Sequence, residues 1–366
     1  MAQRILSTPT ITPATRPTVA LPGLKTLLVG GLLALLVGLL LVSLALGSVT
    51  IPLEEVLRVL LGGEASKAVW TSIIRDFRLP QALTAILAGA ALGVSGLLMQ
   101  TFFRNPLADP FVLGVSSGAS LGVALVVLTI GSVTTTLLTG LGVFGDLALA
   151  AAASFGSVGV MAIILLVARR VSGGTTLLII GLLFGYLTSA VVSVLLYLSI
   201  PERIQAYINW TFGSFSGVTW DQLTIMAPVI IGGLSAAFLL CKPLNALLLG
   251  EAYAESMGVN LPRVRFALIL ASAVLAGTIT AFCGPIGFLG IAVPHFCRSL
   301  FNTSDHRALI PLTILVGAVV ALLAAIIADV PGSSLVLPLN AVTSLIGAPA
   351  VIWVILSRHS VKAAAA

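Results

Sequence analysis

Charged residues are scarce in this sequence. Only 8% of its 366 residues are Asp, Glu, Lys or Arg, 58% are hydrophobic, and the mean hydropathy is +1.17. A soluble domain typically carries about 25% charged residues. A chain this apolar could not cover its surface with polar groups in water. We therefore expect an integral membrane protein, with lipid as its solvent.

The sequence also lacks the motifs of most enzymes. Its three cysteines are too few and too scattered for a disulfide framework. It has no glycine-rich phosphate loop with the following Lys and Ser or Thr, so we do not expect it to hydrolyse ATP by that route. A nucleophile elbow, a zinc-protease motif and a paired-cysteine motif are also missing. We expect no catalytic residue, no bound cofactor and no metal site.

Two alternatives to these exclusions rest on composition and local clustering. The pI of 9.7 is compatible with nucleic-acid binding, but the positive charges fall at predicted membrane boundaries, so we expect no nucleic-acid partner. A metal site is the alternative for His295, Cys297, Asp305 and His306, which lie close together in the sequence. These four residues flank the end of a predicted membrane helix, where polar residues are ordinary.

Apolar runs are the dominant feature of the chain. About 20 apolar residues in a helix span the hydrocarbon core of a bilayer. Runs of this kind predict an all-α polytopic protein with about ten membrane segments, near 24–46, 81–101, 112–131, 146–168, 175–197, 223–240, 264–282, 286–297, 307–328 and 341–357. The eighth is too short to cross alone. It follows Cys283-Gly284-Pro285, so we expect a half-helix entered through a break.

The two ends of the chain are predicted to be short tails. The first apolar run, Leu24–Leu46, is longer than the roughly 7–15 residues of a signal-peptide core, so we expect an uncleaved helix. Residues 1–23 then form a disordered cytoplasmic tail, 24–358 the ten-helix domain, and 359–366 a second cytoplasmic tail.

The distribution of Lys and Arg predicts the orientation. Five of the 18 Lys and Arg residues fall in segments on one side of the predicted helices: Arg58, Lys67, Arg75, Arg78 and Arg203. The other thirteen fall on the side of the N-terminus. Because cytoplasmic segments carry the excess of positive charge, both termini are predicted to be cytoplasmic. The outer segment 47–80 contains two amphipathic stretches, near 52–61 and 67–77, which we expect to be helices lying along the outer surface.

Ionisable residues are nearly missing from the interiors of the predicted spans. Carriers driven by protons or sodium usually bury carboxylates there, and Asp329, at the outer end of the ninth span, is the single candidate. An ion-coupled secondary transporter is therefore the disfavoured alternative. An intramembrane enzyme would need a polar nucleophile and base within the spans. The pattern favours a transporter that takes its energy from a partner.

The long inner loop, 241–265, offers that partner a contact. Residues Leu247 to Gly258 are predicted to form one short helix, with Glu251 near its positive end and Gly258 as a left-handed stop. An ordinary capped surface helix is the alternative that the local pattern leaves open.

Short motifs in a fixed order resemble the permeases of the iron-siderophore, haem and cobalamin class of bacterial ABC importers, the FecCD family. They extend over nearly all of the chain after residue 24. The motifs are Arg78-Leu79-Pro80, Gly89 to Gly96, Met99-Gln100, Asn105-Pro106-Leu107-Ala108-Asp109-Pro110, Leu113-Gly114, Gly250-Glu251 to Met257-Gly258, Gly284 to Gly290, Val293-Pro294-His295, Arg298, Asp305-His306-Arg307, Leu337-Pro338 and Gly347-Ala348-Pro349.

The resemblance implies a type II ABC importer permease fold in the bacterial inner membrane. Its implied partners are two cytoplasmic ATPase subunits that bind the ATP, an extracytoplasmic substrate-binding protein, and a second permease, identical or paralogous. Its implied cargo is a ferric siderophore or a similar metal chelate, such as haem or cobalamin.

The resemblance also assigns roles to residues. The implied ATPase-coupling residues are Glu251, Ala252, Glu255, Met257 and Gly258. The implied cytoplasmic gate comprises Asn105, Leu107, Gly174 and Thr175. The implied docking residues for the binding protein are Arg75, Arg78, Gln81 and Asp329. The docking region departs from the family pattern: Gln81 stands where Arg is common, and Ala325 and Asp329 stand where Asp and Arg are common.

Overall fold

The computed structural model of the protein describes residues 22–129, 143–168, 174–333 and 335–363. In these residues all regular secondary structure is helical. The long helices are α1 (Pro22–Ala45), α4 (Leu79–Phe102), α6 (Val143–Ala168), α7 (Gly174–Tyr197), α9 (Trp220–Leu239), α12 (Leu261–Cys283), α14 (His306–Ala328) and α15 (Leu339–Ala363). The shorter ones are α2 (Leu53–Leu60), α3 (Ala68–Ser72), α5 (Val115–Ala124), α8 (Pro201–Thr211), α10 (Cys241–Leu248), α11 (Glu251–Ser256) and α13 (Leu289–Phe301).

Seven of the described helices are long and apolar enough to cross a membrane: α1, α4, α6, α7, α9, α12 and α14. The shorter apolar helices α5, with its π-helical extension to Thr129, and α13 join them, as does α15 at the end of the chain. These ten segments correspond to the ten predicted ones, so the all-α polytopic fold is confirmed. Of the predicted N-terminal tail only residues 22 and 23 are described, as the start of α1. At the other end α15 continues to Ala363, so residues 359–363 of the predicted tail 359–366 are helical.

The predicted break before the eighth segment is confirmed. Gly284 has φ +76 and Phe288 has φ +67, and α13 begins only after them. A Cβ atom at Gly284 would lie 2.5 Å from the carbonyl oxygen of Trp210, so this position needs glycine for its backbone angle and for its packing. The Ser214 amide donates to the Cys283 carbonyl at 2.8 Å and fixes the break against the loop after α8.

The outer segment differs from its prediction. The first amphipathic stretch forms α2, but the second is not a separate surface helix. It forms α3 and continues through a π-helical turn, Ile73–Arg78, directly into α4. The physical reason lies in Pro80, which has no amide hydrogen for an α-helical bond. The wider π turn just before it lets the helix continue without that bond.

Helix α4 is the centre of the fold. Every residue from Ala88 to Phe102 is buried, and α4 packs against α1, α9, α12, α13 and α14. A Cβ atom at Gly89 would overlap the backbone of Gly317 on α14, and one at Gly96 would overlap the backbone of Gly290 on α13. Small residues let membrane helices approach to backbone contact, where dispersion forces hold them together.

Loops join the helices at two opposite faces. At the face that contains α2, α3 and α8, the Gly332 amide donates to the Gly47 carbonyl and the Trp220 indole donates to the Arg75 carbonyl. We call it the α8 face. The other face contains the loop 103–109, helices α10 and α11, and the loop 302–305. We call it the α11 face.

The contact between α4 and α14 can be tested with one added methyl group. Gly89→Ala should lower the thermal stability of the purified protein, because the methyl group meets backbone atoms of α14 that cannot move aside; overpacking of this kind costs about 1–3 kcal/mol. Gly232→Ala is the matched control, because nothing lies within 4 Å of its added Cβ. In a helix interior Ala is favoured over Gly by about 0.8–1.0 kcal/mol, so the control should melt at the same or a higher temperature. Equal melting temperatures of the two variants in detergent would contradict the close contact between α4 and α14 at Gly89.

Candidate functional site

Helices α10 and α11 form a bent segment at the α11 face. Leu244 and Leu247 of α10 and Ala254 of α11 are buried in the main apolar core, so both helices are attached firmly to the spans. The prediction of one helix from Leu247 is corrected, because the chain bends at Gly250, where φ is +118, and α11 begins at Glu251. This backbone angle is accessible to glycine and strained for other residues.

The predicted stop at Gly258 is confirmed. Gly258 has φ +83, its amide donates to the Glu255 carbonyl at 2.8 Å, and the Val259 amide donates to the Ala254 carbonyl at 3.0 Å. These bonds close the last turn of α11 with a left-handed glycine cap. The helix is therefore short and defined at both ends by glycine.

The exposed side of α11 carries the predicted coupling residues. Ala252, Glu255 and Met257 are exposed, with 61% of the Met257 surface open. Glu251 is half-buried and accepts a hydrogen bond from Arg265 of α12 at 2.8 Å. The ion pair fastens the start of α11 to the start of α12. Beside it runs an open groove of about 420 Å³, with Lys242 and Leu249 among its lining residues.

The predicted gate residues Asn105 and Leu107 lie in the loop that follows α4. The Asn105 side-chain oxygen accepts from the Leu107 amide at 3.0 Å, which closes a local turn and leaves Leu107 45% exposed. The Pro106 carbonyl lies 2.9 Å from Nε2 of His295 on α13. A Cβ atom at Gly250 would lie 3.8 Å from the Arg104 guanidinium, so this loop and the bend between α10 and α11 are neighbours.

Asp109 ends the same loop as a buried cap. Its carboxylate accepts from the Phe111 amide at 2.8 Å and begins the 3-10 turn Pro110–Leu113. Burial raises the pKa of Asp109 to about 6, against the lowering effect of that hydrogen bond. The other gate residues stand at the start of α7. Helix α7 begins at Gly174, whereas residues 169–173 and the Thr175 side chain lie outside the described part of the chain. The assignment of all four residues to a gate stays a prediction.

The alternative metal site does not assemble. His306 Nε2 lies 2.9 Å from the Thr101 hydroxyl, His295 turns to the Pro106 carbonyl, and Cys297 is buried in the apolar core. Among the residues that the structure describes, no three His, Cys, Asp or Glu side chains are placed to hold a metal ion together.

The docking residues at the α8 face separate into buried and exposed groups. Arg78 is only 9% exposed, and its guanidinium donates to the Leu44 carbonyl at 2.7 Å and to the Val49 carbonyl. The docking role that the resemblance implies for Arg78 is therefore corrected, because its side chain is buried and its charge is bound by backbone carbonyls, which offset the cost of burying it. Arg75, one helical turn earlier, is exposed.

The remaining two docking residues contact each other. Gln81 donates to the Asp329 carboxylate at 2.8 Å. Both line a cavity of about 540 Å³ that opens between α4, the end of α14 and the loop after α8, with Asn209 and Phe215 among its other lining residues. Two of the three departures from the family pattern, Gln81 and Asp329, are thus partners: each stands where Arg is common, one as an amide and the other as a carboxylate.

Comparisons with known proteins agree with the all-helical membrane fold. Residues 34–357 match the FecCD transport family. The chain is 37% identical over 316 residues to the vitamin B12 import system permease protein BtuC of Klebsiella pneumoniae, covering 86% of this chain and 89% of the relative. It is 36% identical over 321 residues to the hemin transport system permease protein HmuU of Yersinia pestis, covering 87% and 93%.

A solved structure is similar as well. It is described as an inward-facing conformation of a metal-chelate type ABC transporter, and it superimposes with a TM-score of 0.79 at 30% identity, covering 91% of this chain and 99% of the other. The family match extends over residues 34–357, and each of these relatives covers more than four fifths of the chain. The chain belongs to the FecCD transport family, whose members are membrane permeases of ABC transporters.

Proposed function

We propose that this protein is the permease subunit of an ATP-driven importer that moves a ferric siderophore or a similar metal chelate, such as haem or cobalamin, into the cytoplasm. The observation that carries the proposal is α11, a short helix bounded by two left-handed glycines, exposed on one side and fastened to the spans on the other. A partner that binds the exposed side of such a helix can move it, and the helix can transmit this movement to the membrane helices.

The cargo class is supported by the relatives. The similar proteins are named for vitamin B12 import and hemin transport, and the similar structure for metal chelates. All of these are bulky molecules around a bound metal. The cavity of about 540 Å³ at the α8 face lies within one chain. In this proposal a second permease, identical or paralogous, completes the assembly.

The energy source in this proposal is a pair of cytoplasmic ATPase subunits. Beyond the first turn of each described membrane helix, the sequence contains no Asp or Glu. Ion-coupled carriers usually place such groups at the centre of the membrane. This distribution disfavours the secondary-transporter alternative and supports a permease without a cofactor of its own, with ATP bound by the partner.

The contact between α11 and the ATPase can be tested with two variants. Gly258→Pro forces φ to about −65°, so α11 cannot end as it does. Glu251→Arg places a positive charge beside Arg265 and at the positive end of a helix, where the dipole effect is about 0.3–1 kcal/mol. Both variants should insert into the membrane but lose co-purification of the ATPase subunit and ATP-driven uptake.

Each variant has a matched control. Gly62→Pro alters a left-handed glycine that also ends a short surface helix in open space, but at the α8 face, and it should keep the ATPase bound. The double variant Glu251→Arg with Arg265→Glu restores the ion pair and should recover part of the lost binding. Full ATPase binding and uptake by Gly258→Pro would remove α11 from the mechanism.

The docking of the binding protein can be tested at Arg75 and Arg78. Arg75→Glu should slow association of the binding protein, with an effect that shrinks as salt rises, because exposed charges steer encounter and are screened. Arg78→Ala should instead lower thermal stability, since it leaves the buried Leu44 carbonyl without this donor, at about 1–3 kcal/mol, and also removes the bond to the partly exposed Val49 carbonyl. Association rates and melting temperatures would separate these effects. Slow, salt-dependent association in the Arg78 variant with unchanged melting would reverse the assignment.

Asp329 is proposed to face a basic or neutral group of the binding protein. Asp329→Arg should then weaken docking, although it restores the usual family charge, and it also removes the acceptor for Gln81. Unchanged or stronger association would show that Asp329 does not contact the binding protein.

The proposed location is the bacterial inner membrane with both termini cytoplasmic, so that the α11 face meets the cytoplasm. The support is the excess of Lys and Arg on that side of the chain. Cysteines introduced at positions 3 and 364 should resist an impermeant thiol reagent applied to intact cells. Labelling of either position from outside would invert the topology and place α11 away from any ATPase.

A further inference from the structure

Three side chains connect the bent segment to the end of α4. Asn245 lies on α10, His306 is the first residue of α14, and Thr101 lies in the last turn of α4. Asn245 Oδ1 is 2.7 Å from Nδ1 of His306, and Nε2 of the same ring is 2.9 Å from the Thr101 hydroxyl. His306 and Thr101 are buried, and Asn245 is half-buried.

The orientation of Asn245 is fixed by its partners. The His306 backbone amide, which can only donate, lies 2.9 Å from Asn245 Oδ1, so this atom is the oxygen. The ring atom Nδ1 faces the same oxygen and must therefore carry its hydrogen. The Asn245 amide nitrogen donates in turn to the Asp305 carboxylate at 2.6 Å. Three hydrogen bonds thus hold one short side chain between two residues that precede and begin α14.

The hydrogen on Nδ1 also decides the direction of the bond between His306 Nε2 and the Thr101 hydroxyl. With a hydrogen on Nδ1, the neutral ring accepts at Nε2, so the Thr101 hydroxyl donates to it. The Leu97 carbonyl, 3.0 Å from the same hydroxyl, is the bond that an isolated helix would offer. The Thr101 hydroxyl thus reaches both the Leu97 carbonyl of its own helix and the His306 ring, and the second contact joins the end of α4 to α14.

Gln100, the residue before Thr101, joins the end of α4 to α13. We call the loop 103–109, which follows α4 and contains Asn105 and Leu107, the gate loop. The Gln100 side chain accepts from Arg298 at 2.6 Å and points its amide nitrogen at the Gly290 and Ile291 carbonyls. The gate loop follows directly, with Leu107 six residues after Thr101. Because hydrogen bonds between helices are directional, we expect a displacement of α10 to act on the end of α4 through them.

We propose that Asn245 is a positioning residue that transmits movement of α11 to the gate loop through His306 and Thr101. The inference rests on the proposed role of α11 as the ATPase contact. The apolar core carries the first part of the path, because Leu247 and Ala254 are buried in the same cluster on either side of the Gly250 bend. The hydrogen-bonded chain carries the second part, from α10 across α14 to α4.

The test measures whether the gate loop responds to nucleotide. Leu107→Cys supplies a thiol at an exposed position, whereas the native Cys241, Cys283 and Cys297 are all buried and can stay in place. The full-length permease with its ATPase is placed in lipid nanodiscs. The labelling rate with an impermeant maleimide is compared without nucleotide and after trapping with ATP and vanadate.

The otherwise native protein should show a change of labelling rate between the two states. Adding Thr101→Val, which is buried and cannot touch the ATPase, should abolish that change while ATP hydrolysis continues. Asn245→Ala should have the same effect with the ATPase still co-purifying. The double variant should show the same loss of the labelling change as either single variant, since both substitutions interrupt the same series of hydrogen bonds.

Thr278→Val is the matched control, because its hydroxyl donates to the Val274 carbonyl of its own helix, and it should leave the nucleotide response intact. If Thr101→Val and Asn245→Ala show the same change of labelling rate as the native protein, transmission through Asn245, His306 and Thr101 is wrong. The proposed function is not affected by that result. A native protein that binds the ATPase but shows no response at position 107 overturns the relay and the gate assignment of Leu107. If Asn245→Ala does not fold, Thr101→Val alone decides the question.

Discussion

Backbone contact between α4 and its neighbours is the constraint on which the rest of the structure depends. At Gly89 and Gly96 there is no room for a side chain, because the backbones of Gly317 and Gly290 occupy that space. Two helices, α14 and α13, are thereby fixed to α4 at separate levels of the membrane. Because α4 is buried from Ala88 to Phe102, its packing along this stretch determines where its two ends lie. The α8 face begins with Arg78 and Gln81, and the α11 face begins with Gln100 and Thr101.

This constraint explains why polar chemistry is found at the ends of the helices and is sparse between them. At the α8 face Arg78 holds two backbone carbonyls, and Gln81 holds Asp329 at the mouth of a cavity. At the α11 face Gln100 and Thr101 each bind a different neighbouring helix. In the proposed function, the force that rearranges this interior is applied from its surface. The bent segment of α10 and α11 is suited to that task because it is exposed on one side and buried on the other.

Much of the fold follows from the sequence. Long apolar runs predict the spans, Cys283-Gly284-Pro285 predicts the break before α13, and Gly258 predicts the end of α11, because each of these signals is local. Features that depend on distant partners could not be predicted. The burial of Arg78 is one such feature, since nothing near it in sequence indicates that its guanidinium would bind the Leu44 and Val49 carbonyls. The pairing of Glu251 with Arg265 and the chain from Asn245 to Thr101 join residues on different helices, and no local periodicity encodes them. The π turn before Pro80 was missed because a proline at that point normally indicates a helix start.

The central claim is that the gate loop and the bent segment form one body attached to the end of α4. It can be measured most directly as a distance. Spin labels at positions 107 and 257 of one chain, in assemblies whose other permease is unlabelled, would give the distance distribution with and without trapped nucleotide. We expect the distribution to keep its mean and width, while labels at position 107 of the two permeases change their separation. A change in the distance between positions 107 and 257 within one chain would contradict the account.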